Sequence, residues 1–217
     1  MPATRIVVLC IALSAASSSV ADETASSGAS PTPALMDRAR ETALALSACP
    51  ASAANGAAVY LLEKSGYVKV RDSQNGFTAI VQHSLPNSQE PQCMDAEGAR
   101  TILPRILKVA ELRAQGNSNA AINRFVADAY GKGIFQPPSR PGIDYMLSTE
   151  NLVPTADGKS VAPYPPHVMF YAPYSTNAAI GSDGNFAGPA FVAGEGAPGA
   201  LIIVPLGPSH GGDHSGH

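Results

Sequence analysis

The stretch AAVYLLEKSGYVKVRDSQNGFTAIVQHS, residues 57–84, carries the strongest fold signal in the chain. Three runs rich in Val, Ile, Tyr and Phe are separated by Lys64-Ser65-Gly66 and by Gln74-Asn75-Gly76. Ser-Gly and Asn-Gly tolerate the positive φ angles of tight hairpin turns, so the pattern predicts a three-strand antiparallel meander. In the middle run the period of two sends Val68 and Val70 to one face and Tyr67, Lys69 and Arg71 to the other, leaving one face buried and one wet.

A sheet with one apolar face needs helices to cover it, and the flanking sequence supplies them. Upstream, ALMDRARETALALSA places Leu35, Ala39, Ala43 and Leu46 at helical spacing, which predicts a helix over 34–47 that ends before Cys49-Pro50. Downstream, beyond a predicted loop holding Pro86, Pro91 and Cys93, residues 95–131 read as a helical hairpin. Asp95 and Ser118 are placed to cap its two helices, Gly116 to end the first, and Pro104 to kink it or mark a start near Thr101. The apolar stripes are Ala99, Ile102, Leu103, Ile106, Val109 and Ala110, then Ala121, Ile122, Phe125, Val126 and Ala129. From Gly133 onward proline and glycine loosen the pattern, and short strands are predicted at 144–148, 167–172 and 200–206, with one helical turn over 175–180 capped by Ser175. The fold class is α+β, an antiparallel sheet packed against a helical hairpin and one N-terminal helix, in a single domain over 34–207.

The ends differ in character. Arg5, the apolar run Ile6–Leu13 and the small residues up to Ala21 form the three-part pattern of a secretory signal peptide over residues 1–21. No other segment approaches the roughly 18–20 unbroken apolar residues a membrane span requires. The expectation is an exported, soluble, periplasmic or secreted protein, with residues 22–33 a flexible leader. Cleavage after Ala21 removes Cys10 and leaves Cys49 and Cys93, which in an oxidising compartment read as a disulfide. Cleavage also removes Arg5 and takes the formal charge from -3 to -4. So mild an acidity, without clustered Lys and Arg, argues against nucleic acid as a partner.

Few residues carry a chemical signal. PPHVMFYAPY, 165–174, alternates as a strand that sends His167, Met169 and Tyr171 to one side and Val168, Phe170 and Ala172 to the other, both apolar enough to be covered. His167 is either a satisfied core histidine or the centre of a hydrolase-like site with Glu150, Tyr145 or Tyr171 beside it. His83 reads as an exposed strand end. No G-x-S-x-G elbow, HExxH, paired CxxC or glycine-rich phosphate loop is present, so no catalytic set is recognisable and the balance leans away from an enzyme. The tail GPSHGGDHSGH places His210, Asp213, His214 and His217 close together in a segment with nothing to bury. These are ligands that Zn, Ni or Cu take, though a disordered tail binds weakly because ordering it costs entropy. No other cofactor is expected.

The stretches NGFTAIVQ (75–82), EPQCMDAEG (90–98), YMLSTEN (145–151), PPHVMFYAPY (165–174) and GALIIVP (199–205) resemble a family of uncharacterised exported bacterial proteins. The resemblance covers residues 55 to 207 and leaves out the histidine tail. It implies a whole domain and supplies no activity, cofactor or catalytic residue. The sequence therefore favours a non-catalytic binding or structural envelope protein, with a hydrolase-like enzyme centred on His167 and metal binding through the tail as alternatives.

Overall fold

A computed structural model of the chain describes residues 29–155 and 157–207. The signal-peptide reading, the leader up to residue 28, and His210, Asp213, His214 and His217 of the tail lie outside the described residues. The elements are α1 (Arg38–Ser47), α2 (Ala51–Ala54), β1 (Ala58–Glu63), β2 (Gly66–Arg71), β3 (Thr78–Gln82), β4 (Glu90–Met94), α3 (Ala96–Thr101), α4 (Leu103–Ala114), α5 (Asn119–Gly131), β5 (Ile143–Met146), β6 (Leu152–Pro154), β7 (Val161–Pro163), β8 (His167–Tyr171), β9 (Phe191–Ala193) and β10 (Leu201–Pro205). One sheet runs in the order β2-β1-β3-β4-β5-β8-β10-β9, and β6 pairs with β7 apart from it. Neighbours in the large sheet are antiparallel except β1 and β3, so the α+β class holds.

The meander does not hold. Ser65-Gly66 does turn β1 into β2, with Glu63 opposite Gly66 and Gly66 at φ 120°. β3 instead lies on the far side of β1 and runs parallel to it, Ala58 beside Thr78 and Val59 beside Ala79. The Asn-Gly turn fails as a hairpin because its groups bond to the segment that leads into β1. Asn75 Nδ2 donates to Ala53 O at 2.8 Å and Gln74 N to Gly56 O at 2.7 Å. Arg71 adds bonds to Ala57 O and Ala54 O, each at 2.6 Å. Residues 72–77 are thereby tied across the start of β1, and β3 emerges beside it on the other edge.

The predicted loop through Pro91 and Cys93 is also corrected, because Glu90–Met94 is a strand in which every residue is buried. A proline there removes a ladder donor. The carbonyl of Val81, which pairs with Pro91, instead receives the Tyr67 hydroxyl at 2.5 Å.

Strand register sorts the sheet into two faces. One carries Ile80, Met94, Asp144, His167, Met169 and Tyr171, and packs Ile80, Met94 and Tyr171 against Ile102, Leu103 and Ile106 of the helical hairpin. The other carries Ala79, Val81 and Cys93 under α1, where Cys49 and Cys93 are joined in a disulfide with Cα atoms 5.1 Å apart. The hairpin follows its capping signals. Asp95 accepts from Glu97 N and Gly98 N, Ser118 from Ala121 N, Gly116 stands at φ 79°, and the break at Ile102 leaves Pro104 in the first turn of α4.

Four further expectations are revised. α1 begins at Arg38, behind an Asp37 cap, and buries Glu41, Leu44 and Ala45 in place of the Leu35–Ala39–Ala43–Leu46 stripe; the Glu41 carboxylate accepts Leu62 N from β1 at 2.8 Å, which makes its burial tolerable. The leader is anchored near its end, since Ser30 N donates to Asn117 O and Ser30 Oγ to Asn119 Oδ1. The far side of β8 is not covered: Phe170 is 42% exposed, because α1 spans only the β1–β4 half of the sheet. The short helical turn is Ala178–Ile180, and Thr176 Oγ1, not Ser175, accepts from Ala179 N.

Candidate functional site

β5 and β8 do pair, Met146 beside His167 and Asp144 beside Met169. Yet the candidate residues do not converge. His167 is 2% exposed, its Nδ1 faces Pro165 O at 2.9 Å, and the Tyr164 ring meets it edge-on at 5.0 Å. Burial lowers the pKa of the imidazole, which is therefore neutral at pH 7. Tyr171 shares the His167 face but lies two side-chain repeats along it, about 13 Å away by strand rise, and its hydroxyl donates to Ile143 O at 3.1 Å. Tyr145 projects from the opposite face, against Phe77. Glu150 stands at the surface in a two-pronged ion pair with Arg40. His167 is buried with its Nδ1 on a backbone carbonyl, and the four residues do not converge.

One group on this face is not satisfied. Asp144 is fully buried and neither carboxylate oxygen has a hydrogen-bond partner. Burial, opposed by the Cys93 backbone N–H that approaches the carboxylate and reinforced by Asp95, holds its pKa well above the usual 3.8. A carboxyl raised in the folded state binds its proton more tightly there than in the unfolded chain, so stability falls as pH rises from about 4 toward the folded-state pKa. In urea titrations at a series of pH values, wild type should lose stability relative to Asp144→Asn across that window, with a slope approaching about 1.4 kcal/mol per pH unit. Parallel profiles would show that Asp144 is not held neutral.

A cleft lies elsewhere, between the ends of β1–β3 and the α4–α5 hairpin, with a volume of about 510 Å³. Leu62, Tyr67, Ile106, Val109, Ile122 and Val126 form its apolar parts; Glu63, Lys64, Gln82, His83, Ser84, Arg105, Arg113, Asn119 and Asn123 are interleaved with them, and Thr32, Pro33 and Leu35 form one side. His83 is thus no exposed strand end: it is 7% exposed and lines the cleft. Its Nδ1 faces Ser88 O at 2.5 Å, and since a carbonyl only accepts, Nδ1 carries the proton and Nε2 keeps the lone pair. Burial lowers the pKa of this ring, against the pull of that carbonyl and with the push of Arg113, so it is neutral at pH 7.

Arg113 organises the wall. It is 8% exposed, donates to His83 O at 2.8 Å and Ser84 O at 3.3 Å, and reaches Ser30 Oγ at 3.3 Å, which brings the N-terminal segment against the cleft. Beneath it Glu90 accepts from Ser84 N and Ser84 Oγ at 2.8 Å and from Ser88 Oγ at 2.5 Å. A visible signal for Arg113 existed: with Ile102, Ile106 and Val109 it falls at i, i+4, i+7 and i+11, a cation on the apolar stripe. Arg105 and His83 had no such signal, because their cleft forms only when β3 lands beside β1.

Among the described residues no group of three or more His, Cys, Asp and Glu side chains is placed to hold a metal ion, and no helix is long and apolar enough to cross a membrane. Compared with family models, with curated proteins and with solved structures, the chain matches none.

Proposed function

We propose that the chain is an exported, non-catalytic binding protein whose small-molecule ligand occupies the cleft between β1–β3 and the α4–α5 hairpin. The observation that carries this reading is the cleft itself. Its volume of about 510 Å³ lies within the range of small-molecule sites, and its lining interleaves apolar side chains with polar groups, of which His83 and Arg113 are held by hydrogen bonds. Export is supported by the apolar N-terminal run and by a buried disulfide, which persists where thiols are oxidised. A binding role fits better than hydrolysis at His167, since that ring is enclosed by the core and the candidate carboxylate Glu150 is paired at the surface.

The test is a saturable reporter. Anilinonaphthalene sulfonate should gain fluorescence on the wild-type protein at one site, and Val109→Trp, which fills the cleft from a half-buried position on α4, should weaken it at least tenfold. Undiminished binding to that variant would remove the cleft as the site. Capture of Zn, Ni or Cu by His210, Asp213, His214 and His217 is a separate proposal resting on their ligand chemistry. Deleting residues 208–217 should abolish Zn binding in a calorimetric titration, and unchanged heats would exclude the tail.

A further inference from the structure

Arg105 and Arg113 both line the cleft, and neither has a described carboxylate within ion-pair distance. The seven ion pairs among the described residues engage Arg38, Arg40, Lys69, Arg100, Lys108, Lys132 and Arg140 instead. Glu63, the one carboxylate on the cleft wall, is held by Arg38 at 2.5 Å. Glu90, buried close by, has its oxygens on Ser84 and Ser88. With Lys64 also on the wall, the cleft carries an excess of positive charge that its own carboxylates do not neutralise.

The two arginines differ in what they have left to give. Arg113 uses Nε and both terminal nitrogens on Ser30, His83 and Ser84, so its role is to hold the wall. The Arg105 guanidinium is half-buried, with its Nε in the interior, the Tyr130 hydroxyl as a neighbour and no described carboxylate paired to it. A guanidinium that lines a cleft without a carboxylate partner leaves charge there for an anion to meet, and hydrogen bonds to a charged group are among the stronger ones. A guanidinium presents its N–H groups in a planar fork that matches a carboxylate two-to-two. Next to it on α4, Ile106 and Val109 line the same cleft as Val126 of α5.

From these groups we infer that the ligand is an organic carboxylate, its head on Arg105 and its hydrocarbon body along Ile106, Val109 and Val126. This rests on the cleft being the binding site, and it explains why the cleft joins an arginine without a carboxylate partner to apolar side chains. Neither a neutral hydrocarbon nor a small hydrophilic anion would satisfy both.

The experiment compares decanoate, decanol and acetate by isothermal titration on the full chain and on Arg105→Met, with Arg105→Lys as a second variant and far-UV circular dichroism to establish folding. Decanoate should bind wild type at least tenfold more tightly than decanol, and acetate should give no measurable heat. Arg105→Met should bring decanoate down to the level of decanol and leave decanol unchanged, while Arg105→Lys, a charge without the fork, should fall between. Equal binding of decanol and decanoate to wild type would overturn the carboxylate inference and leave the cleft reading standing. Retention of the full preference in folded Arg105→Met would overturn the assignment of the head to Arg105. Binding of neither amphiphile would overturn the cleft reading along with it.

Discussion

Replacing Cys49 and Cys93 together by alanine should lower the free energy of unfolding by about 4 kcal/mol, the chain-entropy value for a cross-link spanning residues 49 to 93. The effect should approach that full value because of what surrounds the bridge. The fully buried part of the core between α1 and the sheet is built from Ala45, Ala48, Ala53, Ala57 and Ala79 with the two cysteines, Leu44 and Val81, while Met36, Leu46, Phe77 and Tyr145 pack on it only partly buried. Apolar burial stabilises in proportion to area, about 25 cal/mol per Å², so a layer of alanines holds its helix weakly. The bridge joins Cys49, which follows the C-cap of α1, to a fully buried position on β4, one of the two central strands. Urea titration should show a lower midpoint for the double variant, with near-native far-UV dichroism in buffer. A shift below 1 kcal/mol would mean that the alanine layer alone fixes α1.

The same contrast between local and long-range forces separates what could be read from the chain from what could not. Asp95, Gly116 and Ser118 act within a turn of their own positions, and each does what its residue type predicts. The disulfide was legible because, once the expected cleavage sets Cys10 aside, two cysteines allow only one intrachain pair. β4 was missed because a strand buried on both faces has no alternation to reveal it, and Pro86 and Pro91 argued for a loop. The stripe of α1 was misassigned because Glu41 looks like a surface residue until β1 presents Leu62 N to it. Misplacing β3 had the greatest consequence for function. Asn-Gly is a strong hairpin signal, but here Asn75 bonds Ala53 O, and the strand crosses to the other side of β1. That crossing carries His83 to the cleft wall, so the site was hidden by one local rule losing to tertiary hydrogen bonds.

Gly98→Ala should destabilise the protein by about 3 kcal/mol, the upper part of the range for overpacking a well-filled core, even though alanine is the better helix former by about 1 kcal/mol. Gly98 lies in α3 where the helix meets the sheet, and a Cβ there would stand 1.9 Å from the Tyr171 hydroxyl, 2.7 Å from Tyr171 Cζ and 2.9 Å from Met94 Cβ. Tyr171 cannot easily retreat. Its hydroxyl is tied to Ile143 O, and on the other side Gly142 allows equally close approach, since a Cβ at that position would lie 2.6 Å from Tyr171 Cε2 and from Asp95 Oδ2. Asp95 completes the arrangement by accepting Ile143 N at 3.0 Å while it caps α3, so the tyrosine ring, the helix start and β5 are fixed against one another. Gly131→Ala at the end of α5, where nothing lies within 4 Å of the added Cβ, should instead raise stability by about 0.5–1 kcal/mol. A cycle with Tyr171→Phe separates clash from propensity: removing the hydroxyl should make Gly98→Ala less costly, though not neutral, because the Cζ and Met94 contacts remain. Should Gly98→Ala match Gly131→Ala in thermal and urea unfolding, the close seating of α3 on Tyr171, and with it the position of the α4 wall of the cleft, would be wrong.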